Sequence, residues 1–226
     1  MNEFQYFGAF LTFVTFLLAW TLQKRLKLAI LNPIFLSTVA CIAVLSALGM
    51  DYQAYNQSAQ MITWFLTPAT VCLAIPLYEQ LDALKRNWRA IASGVLSGVV
   101  AALSSIWAMC RLFGLSHTLY ITLLPKSITA AIAKPLADGY GAVVPLTLIA
   151  IMLTGVLGNS LGPEILDLFW VKEPVARGVA LGTASHAIGT TRAMELGPVE
   201  GAMGSLSLVT AGVTTVALMP LFVQFL

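Results

Sequence analysis

Charge is what this sequence has least of. Of its 226 residues, 12 are Lys or Arg and 10 are Asp or Glu, which makes 10% charged, where a soluble domain carries about 25%. That scarcity excludes a fold with a water-facing surface all round. A formal net charge of +2, with no basic run interleaved with aromatics, leaves no electrostatic footprint for nucleic acid. Histidine occurs twice and cysteine three times. Cys41, Cys72 and Cys110 all lie in apolar stretches without metal-ligand spacing, so they read as small buried hydrophobes. No metal or cofactor is expected, since no phosphate loop or dinucleotide fingerprint occurs. The opening MNEFQYFG has an acid and no Lys or Arg before the first apolar run, and no small-residue cleavage site follows. The first apolar run is therefore expected to stay in the protein.

What the chain does have is hydrophobicity, 58% of residues with a mean hydropathy of +0.86. Uncharged stretches at 4–23, 28–50, 52–78, 90–110, 139–163 and 201–226 each suffice for a hydrocarbon core that needs about 20 residues. Segments 117–138 and 175–196 are apolar but carry charge in mid-span. Long unbroken runs exclude the alternating pattern of a barrel. The expectation is an all-α polytopic membrane protein, a single integral membrane domain over 1–226 with about eight transmembrane passages. Its first half runs over 1–115 and its second, with the PKSIT and ASHAIGT segments, over 116–226. On that count Lys24, Arg25, Lys27, Lys85, Arg86, Arg89, Lys134 and Arg192 face the cytoplasm, against Arg111, Lys172 and Arg177 outside. Gly94 and Gly98, and Gly178 and Gly182, form GxxxG pairs that read as close helix contacts without a chemical role.

Three apolar segments are interrupted internally: TPATVCLAIP (67–76), PKSITAAIAKP (125–135) and GTASHAIGTTRAMELG (182–197). Proline removes a backbone donor and disfavours helix at the preceding residue. In lipid, the freed groups are tolerated only against protein or a water-filled cavity. Discontinuous helices of this kind build the midplane sites of secondary transporters. The first two segments share a proline, a hydroxyl-rich turn and a second proline, which raises an internal repeat.

Lys126 follows Pro125 at such an interruption, with Ser127 and Thr129 beside it. A charge at bilayer depth costs at least about 2.5–3.5 kcal/mol, so it is seldom kept without a task. Together with a helix N-terminus it would make a carboxylate-sized site. The alternative is structural, with Lys126 snorkelling to an interface or pairing with Asp138 or Glu195. His186 is framed by Thr183, Ser185, Thr190 and Thr191. It either takes up a proton along with an anion or bridges two helices as a neutral group. Arg192 and Glu195, three apart, can pair on one helical face. Asn32 before Pro33 is a cap or lines the same cavity, and Thr67, Thr70, Tyr78 and Asn159 are further candidates for its wall. The string GNSLG, 158–162, matches the G-x-S-x-G elbow of serine hydrolases but lacks the strand and sheet that elbow needs. A hydrolase built on Ser160 and His186 has no evident orienting acid, and the chain is not expected to be an enzyme.

LTPATVCLAIPLYEQ, LLPKSITAAIAKPLA, LTGVLGNSLGP and ARGVALGTASHAIGTTRAMELG, in this order, resemble the LrgB/CidB family over nearly the whole chain. Where that family usually continues its lysine stretch Ser-Val-Thr-Thr-Pro, this chain has Ala130 and Ala131 in place of the Thr-Pro. The resemblance implies a multi-pass protein of the bacterial plasma (inner) membrane, self-associating and partnered with a smaller LrgA/CidA-type membrane protein. It implies one of two functions. One is transport, as in the plastid glycolate/glycerate translocator and in relatives tied to pyruvate uptake. The other is holin/antiholin-like modulation of murein hydrolase activity and lysis. The residues favour a carrier for small monocarboxylates, proton-coupled through His186. Lys126, Ser127 and Thr129 would meet Thr183, Ser185, His186 and Thr190 at a central site, with Asn32, Thr67, Thr70 and Asn159 lining the cavity.

Overall fold

A computed structural model describes residues 6–26, 33–65, 68, 71–72, 74–79 and 81–226, and no strand occurs among them. The chain divides into two compact units, Met1–Leu73 and Ala74–Leu226. In the first unit α1 (Phe7–Leu26) packs on α2 (Pro33–Ala47), followed by the short α3 (Tyr52–Ser58) and α4 (Gln60–Trp64). Gly8 allows the approach of α3. Its N–H donates to Ser58 Oγ at 3.0 Å, and a Cβ there would meet that oxygen at 2.5 Å. Two further hydroxyls are matched inside the unit, Thr12 to Tyr55 Oη at 2.7 Å and Thr15 to Cys41 Sγ at 3.1 Å. Cys41 and Cys110 are buried as expected of small hydrophobes, whereas Cys72 is exposed.

The second unit runs α5 (Ala74–Glu79), α6 (Leu81–Phe113), α7 (His117–Leu123), a 3-10 turn (Leu124–Ser127), α8 (Ala130–Gly139), α9 (Val144–Leu168), α10 (Pro174–Leu196) and α11 (Pro198–Phe222), with a last 3-10 turn at Val223–Phe225. Local chemistry sets the ends. Gly114 and Gly141 adopt φ of 62° and 72° after α6 and α8. That left-handed step lets Leu115 N–H reach the Cys110 carbonyl at 2.9 Å and Ala142 N–H the Ala137 carbonyl at 3.0 Å. Pro174 and Pro198 open α10 and α11 where a missing N–H costs nothing.

Among the described residues, Phe7–Leu26, Lys85–Phe113, Val144–Leu168 and Pro198–Phe225 are long and apolar enough to cross a membrane. Leu153, Leu157, Leu161 and Ile165 make an i, i+4 stripe along α9 that is 42–56% exposed. Lipid accepts such a stripe and water does not. The remaining passages of the expected eight take other forms. Pro33–Ala47 is a shorter apolar helix. The stretch 52–78 holds only short helices and residues outside those described.

Segments 117–138 and 175–196 both turn back on themselves. After the 3-10 turn, Ile128 (ψ 172°) and Thr129 (ψ 146°) are extended before α8 begins. Unbroken helix would set Thr122 and Val143 ~32 Å apart. Instead Val143 N–H donates to Thr122 Oγ1 at 3.0 Å, and Thr147 Oγ1 donates to the Thr122 carbonyl at 2.9 Å. The chain extends at 128–129 even though Ala130 and Ala131 stand where the family's Thr-Pro would be.

Within α10, Ser185 (φ −133°, ψ 21°) and His186 (φ 44°, ψ −139°) leave the helical region. A straight helix would hold Gly178 and Thr190 ~18 Å apart. Yet a Cβ on Gly204 would lie 3.5 Å from both the Gly178 carbonyl and Thr190 Cα. The limbs 174–184 and 187–196 therefore fold together. Gly189 closes against the Leu181 carbonyl, and Gly178 and Gly182 close against the backbone at Glu200 and Gly204. Carbonyls near the break find new donors: Thr190 Oγ1 to His186 at 3.0 Å and Asn159 Nδ2 to Ile188 at 3.1 Å.

These contacts fix direction. Gly94 and Gly98 meet Val179 and Thr183, so α6 runs parallel to 174–184. Gly162, Gly158 and Gly155 meet Leu181, Ser185 and His186, so α9 runs antiparallel to it. At the far end, Tyr120 Oη donates to the Phe222 carbonyl at 2.7 Å and Trp107 Nε1 to that of Phe225 at 3.2 Å. Both folded-back segments thus return to the end of the unit from which they entered.

Gly182→Val should overlap the Gly204 backbone and cost about 1–3 kcal/mol of stability. Gly139→Ala, with nothing within 4 Å, should change stability by less than about 0.5 kcal/mol. Thermal unfolding of the two variants in detergent compares them directly.

Candidate functional site

The small face of α6 and the first limb of α10 leave a groove between them, because neither carries side chains large enough to fill it. Its volume is about 1090 Å³. Asn87 and Glu173 line one end, and the wall continues through Gly94, Gly98 and Ala101 toward Lys126, Ser127 and Thr183. Glu173 is anchored by capping α10, its carboxylate accepting from Ala176 N–H at 2.9 Å.

Lys126 sits in the turn between α7 and α8, where the extended pair 128–129 follows. Its Nζ donates to Ser127 Oγ at 3.2 Å. Neither carboxylate considered for a structural pair reaches it. Glu195 is held by Arg192 at 2.6 Å, and no ion pair joins Asp138 to Lys126 among the described residues. Thr129 stands at the N-cap of α8 without a side-chain capping bond. Ile132 and Ala133 N–H turn back to the Thr129 carbonyl at 3.0 and 2.9 Å, so of the leading amides of α8, the positive end of its dipole, those of Ala130 and Ala131 are the ones left for another acceptor.

The expected site residues divide into two groups. Lys126, Ser127 and Thr183 line the groove. Ser185, His186 and Thr190 are buried behind it at the reversal of α10. Ser185 packs where Gly158 has no side chain. His186 lies against Gly155, and its Nε2–H donates to the Ile151 carbonyl at 2.8 Å. Thr190 Oγ1 donates to the carbonyls of His186 and Gly204 at 3.0 and 3.2 Å. Asn159 bonds the Ile188 carbonyl, while Asn32, Thr67 and Thr70 lie outside the described residues. Of Lys126 and His186, only Lys126 lines the groove.

Two features were not read from the sequence. The GxxxG of α6 forms the groove wall as well as a helix contact, and Glu173 stands at the groove end. The glycine spacing carried the first signal, but spacing alone does not say which neighbour leaves the gap. The glycines of GNSLG serve packing, and no hydrogen bond joins Ser160 to His186 among the described residues.

His186 holds a positive φ that costs a non-glycine residue about 1–3 kcal/mol and persists only where surrounding contacts over-determine it. The Ile151 bond is one such contact. His186→Phe should therefore lower stability by about 1 kcal/mol or more, and His186→Gln, which keeps an N–H donor, by less. Thermal midpoints in detergent compare the two.

No solved structure matches the chain. A family model does, over residues 12–225, and the chain accordingly belongs to the LrgB-like family.

Proposed function

We propose that the chain is a carrier for small monocarboxylates, with the carboxylate held by Lys126 and Ser127 at the inner end of the groove. The observation that carries this reading is a lysine at a helix break, lining a groove, with no carboxylate partner among the described residues. The N-terminal ends of α8 and of limb 187–196 both start at their breaks. Their dipoles add positive potential where an anion would bind. On this reading α6, α9 and α11 cross the bilayer, and 117–139 and 174–196 are re-entrant segments entering from opposite faces, with their breaks near the midplane.

Orientation supports the arrangement. With 174–196 re-entrant, Lys85, Arg86, Arg89, Lys172, Arg177 and Arg192 fall at the end where α6 begins, against Arg111 and Lys134 at the other. A six-to-two bias in this unit is what a cytoplasmic face carries. The groove end at Asn87 and Glu173 then opens to the cytoplasm. On this reading Lys172 and Arg177, expected outside from the sequence, move to the basic side, and Lys134, expected in the cytoplasm, moves to the other. His186 lies off the groove, so we assign it to the hinge, and the proposal includes no proton step.

A holin-like role would require a wide aqueous hole, whereas the groove here ends at a single lysine. Altered lysis then follows indirectly, from altered carboxylate flux. Purified protein in proteoliposomes should accumulate labelled pyruvate, glycolate or lactate, and Lys126→Ala should reduce uptake by at least about tenfold, the loss of one charge-assisted contact. Equal uptake by both proteins would contradict the reading. Release of a large entrapped dye would favour the holin-like one.

A further inference from the structure

The unit Ala74–Leu226 follows one plan twice. A long helix, α6 or α9, ends beside a residue in the left-handed region, Gly114 (φ 62°) or Trp170 (φ 58°). The next N–H returns to the carbonyl five residues back, Leu115 to Cys110 at 2.9 Å and Val171 to Leu166 at 2.8 Å. A capping side chain then opens the following segment, Ser116 accepting from Leu119 N–H at 3.4 Å and Glu173 from Ala176 N–H at 2.9 Å. Both segments, 117–139 and 174–196, double back at their twelfth and thirteenth residues, Ile128–Thr129 and Ser185–His186. Since α6 runs parallel to 174–184 and α9 antiparallel to it, the two copies point in opposite directions, as inverted repeats do.

In such a pair each long helix meets the folded segment of the other copy, so one interface occurs twice, once toward each end. Here the two occurrences differ. Between α6 and 174–184 the interface is the groove, with Val179, the sixth residue of its segment, in the wall. Between α9 and α7 it is shut. Thr122, the sixth residue of the other segment, is fully buried, its Oγ1 accepts from Val143 N–H at 3.0 Å, and its carbonyl accepts from Thr147 Oγ1 at 2.9 Å. Ile128 and Ala133, just past the turn that carries Lys126, pack with Ile151 of α9 in a small buried cluster.

We infer that the contact between α7 and α9 is a second mouth of the carrier, sealed here by Thr122, Val143 and Thr147, which opens the Lys126 site to the opposite face when the groove between α6 and α10 closes. The inference rests on the carrier reading above and supplies the exit which that reading leaves unassigned. A carrier open at both ends at once leaks, so the two interfaces exchange conditions and do not open together. The bonds at Thr122 weigh in that exchange, and losing one shifts the populations by about tenfold.

Thr147→Cys and Ala176→Cys, each alone in a chain free of Cys41, Cys72 and Cys110, report the two mouths in proteoliposomes of one orientation. Position 147 is fully buried at the seal, and position 176 is exposed in the groove wall. A membrane-impermeant maleimide should label the thiol at 176 fast from one face and the thiol at 147 slowly from the other. Thr122→Val, which leaves the Val143 N–H unmet, should raise the rate at 147 by about tenfold and lower the rate at 176. Thr122→Ser, which keeps the acceptor, should leave both rates as they were. Ala180→Trp wedges the groove open without touching the seal, and it should abolish labelling at 147 whether or not the Thr122 variants fold. A rise at 147 without a fall at 176, or labelling at 147 that persists in Ala180→Trp, overturns the inference. So does a thiol at 147 that is never labelled in protein that accumulates labelled pyruvate, glycolate or lactate, and the carrier reading then stands. Accumulation of none of the three acids by wild type overturns both together.

Discussion

Backbone lying against backbone at glycine is the contact on which the unit Ala74–Leu226 depends. Gly178 and Gly182 let α10 touch the chain at Glu200 and Gly204, and Gly189 lets the second limb of α10 close on the Leu181 carbonyl. Without these approaches the reversal at Ser185–His186 would leave helix ends exposed in an apolar medium, where each unmet group costs several kcal/mol. Small residues thus do two things at once. They allow the chain to double back, and they bring donors such as Thr190 and Asn159 within reach of the carbonyls near the break.

The groove follows from the same economy of side chains. Gly94, Gly98 and Ala101 on α6 and Ala176, Ala180 and Ala184 on α10 all line it, and such short side chains leave space between two helices. Lys126 reaches this space because the chain between α7 and α8 is extended at Ile128 and Thr129. A cation and the Ser127 hydroxyl it donates to are thereby brought to a groove whose walls are mostly small residues. That is a surface suited to a small anion, and its opposite end, at Glu173, is suited to none.

Much of this was legible in the residues, and the illegible part has a physical cause. Helical class, membrane character and the interruptions at PKSIT and ASHAIGT follow from hydropathy and from proline, glycine and hydroxyl chemistry, all of which are local. Direction is not local. A segment such as 175–196 has the length of a passage whether it crosses or returns, and it is contacts such as that of Gly204 with both Gly178 and Thr190 that distinguish the two. The same blindness joined His186 to the groove, whose lining does not include it. Polar residues adjacent in sequence can face opposite sides of a reversal, as Thr183 and His186 do. The lysine itself was readable, because an unpaired charge in an apolar run has few explanations.

The account turns on the reversal within α10, and a distance across it is the most direct test. Spin labels at positions 176 and 194, both exposed, in a background free of Cys41, Cys72 and Cys110 would report that distance by pulsed dipolar spectroscopy. Folded-back limbs predict a separation of ~10–20 Å, that of packed neighbouring helices plus label length. A single dominant distance of ~27 Å, that of one continuous helix, would contradict it.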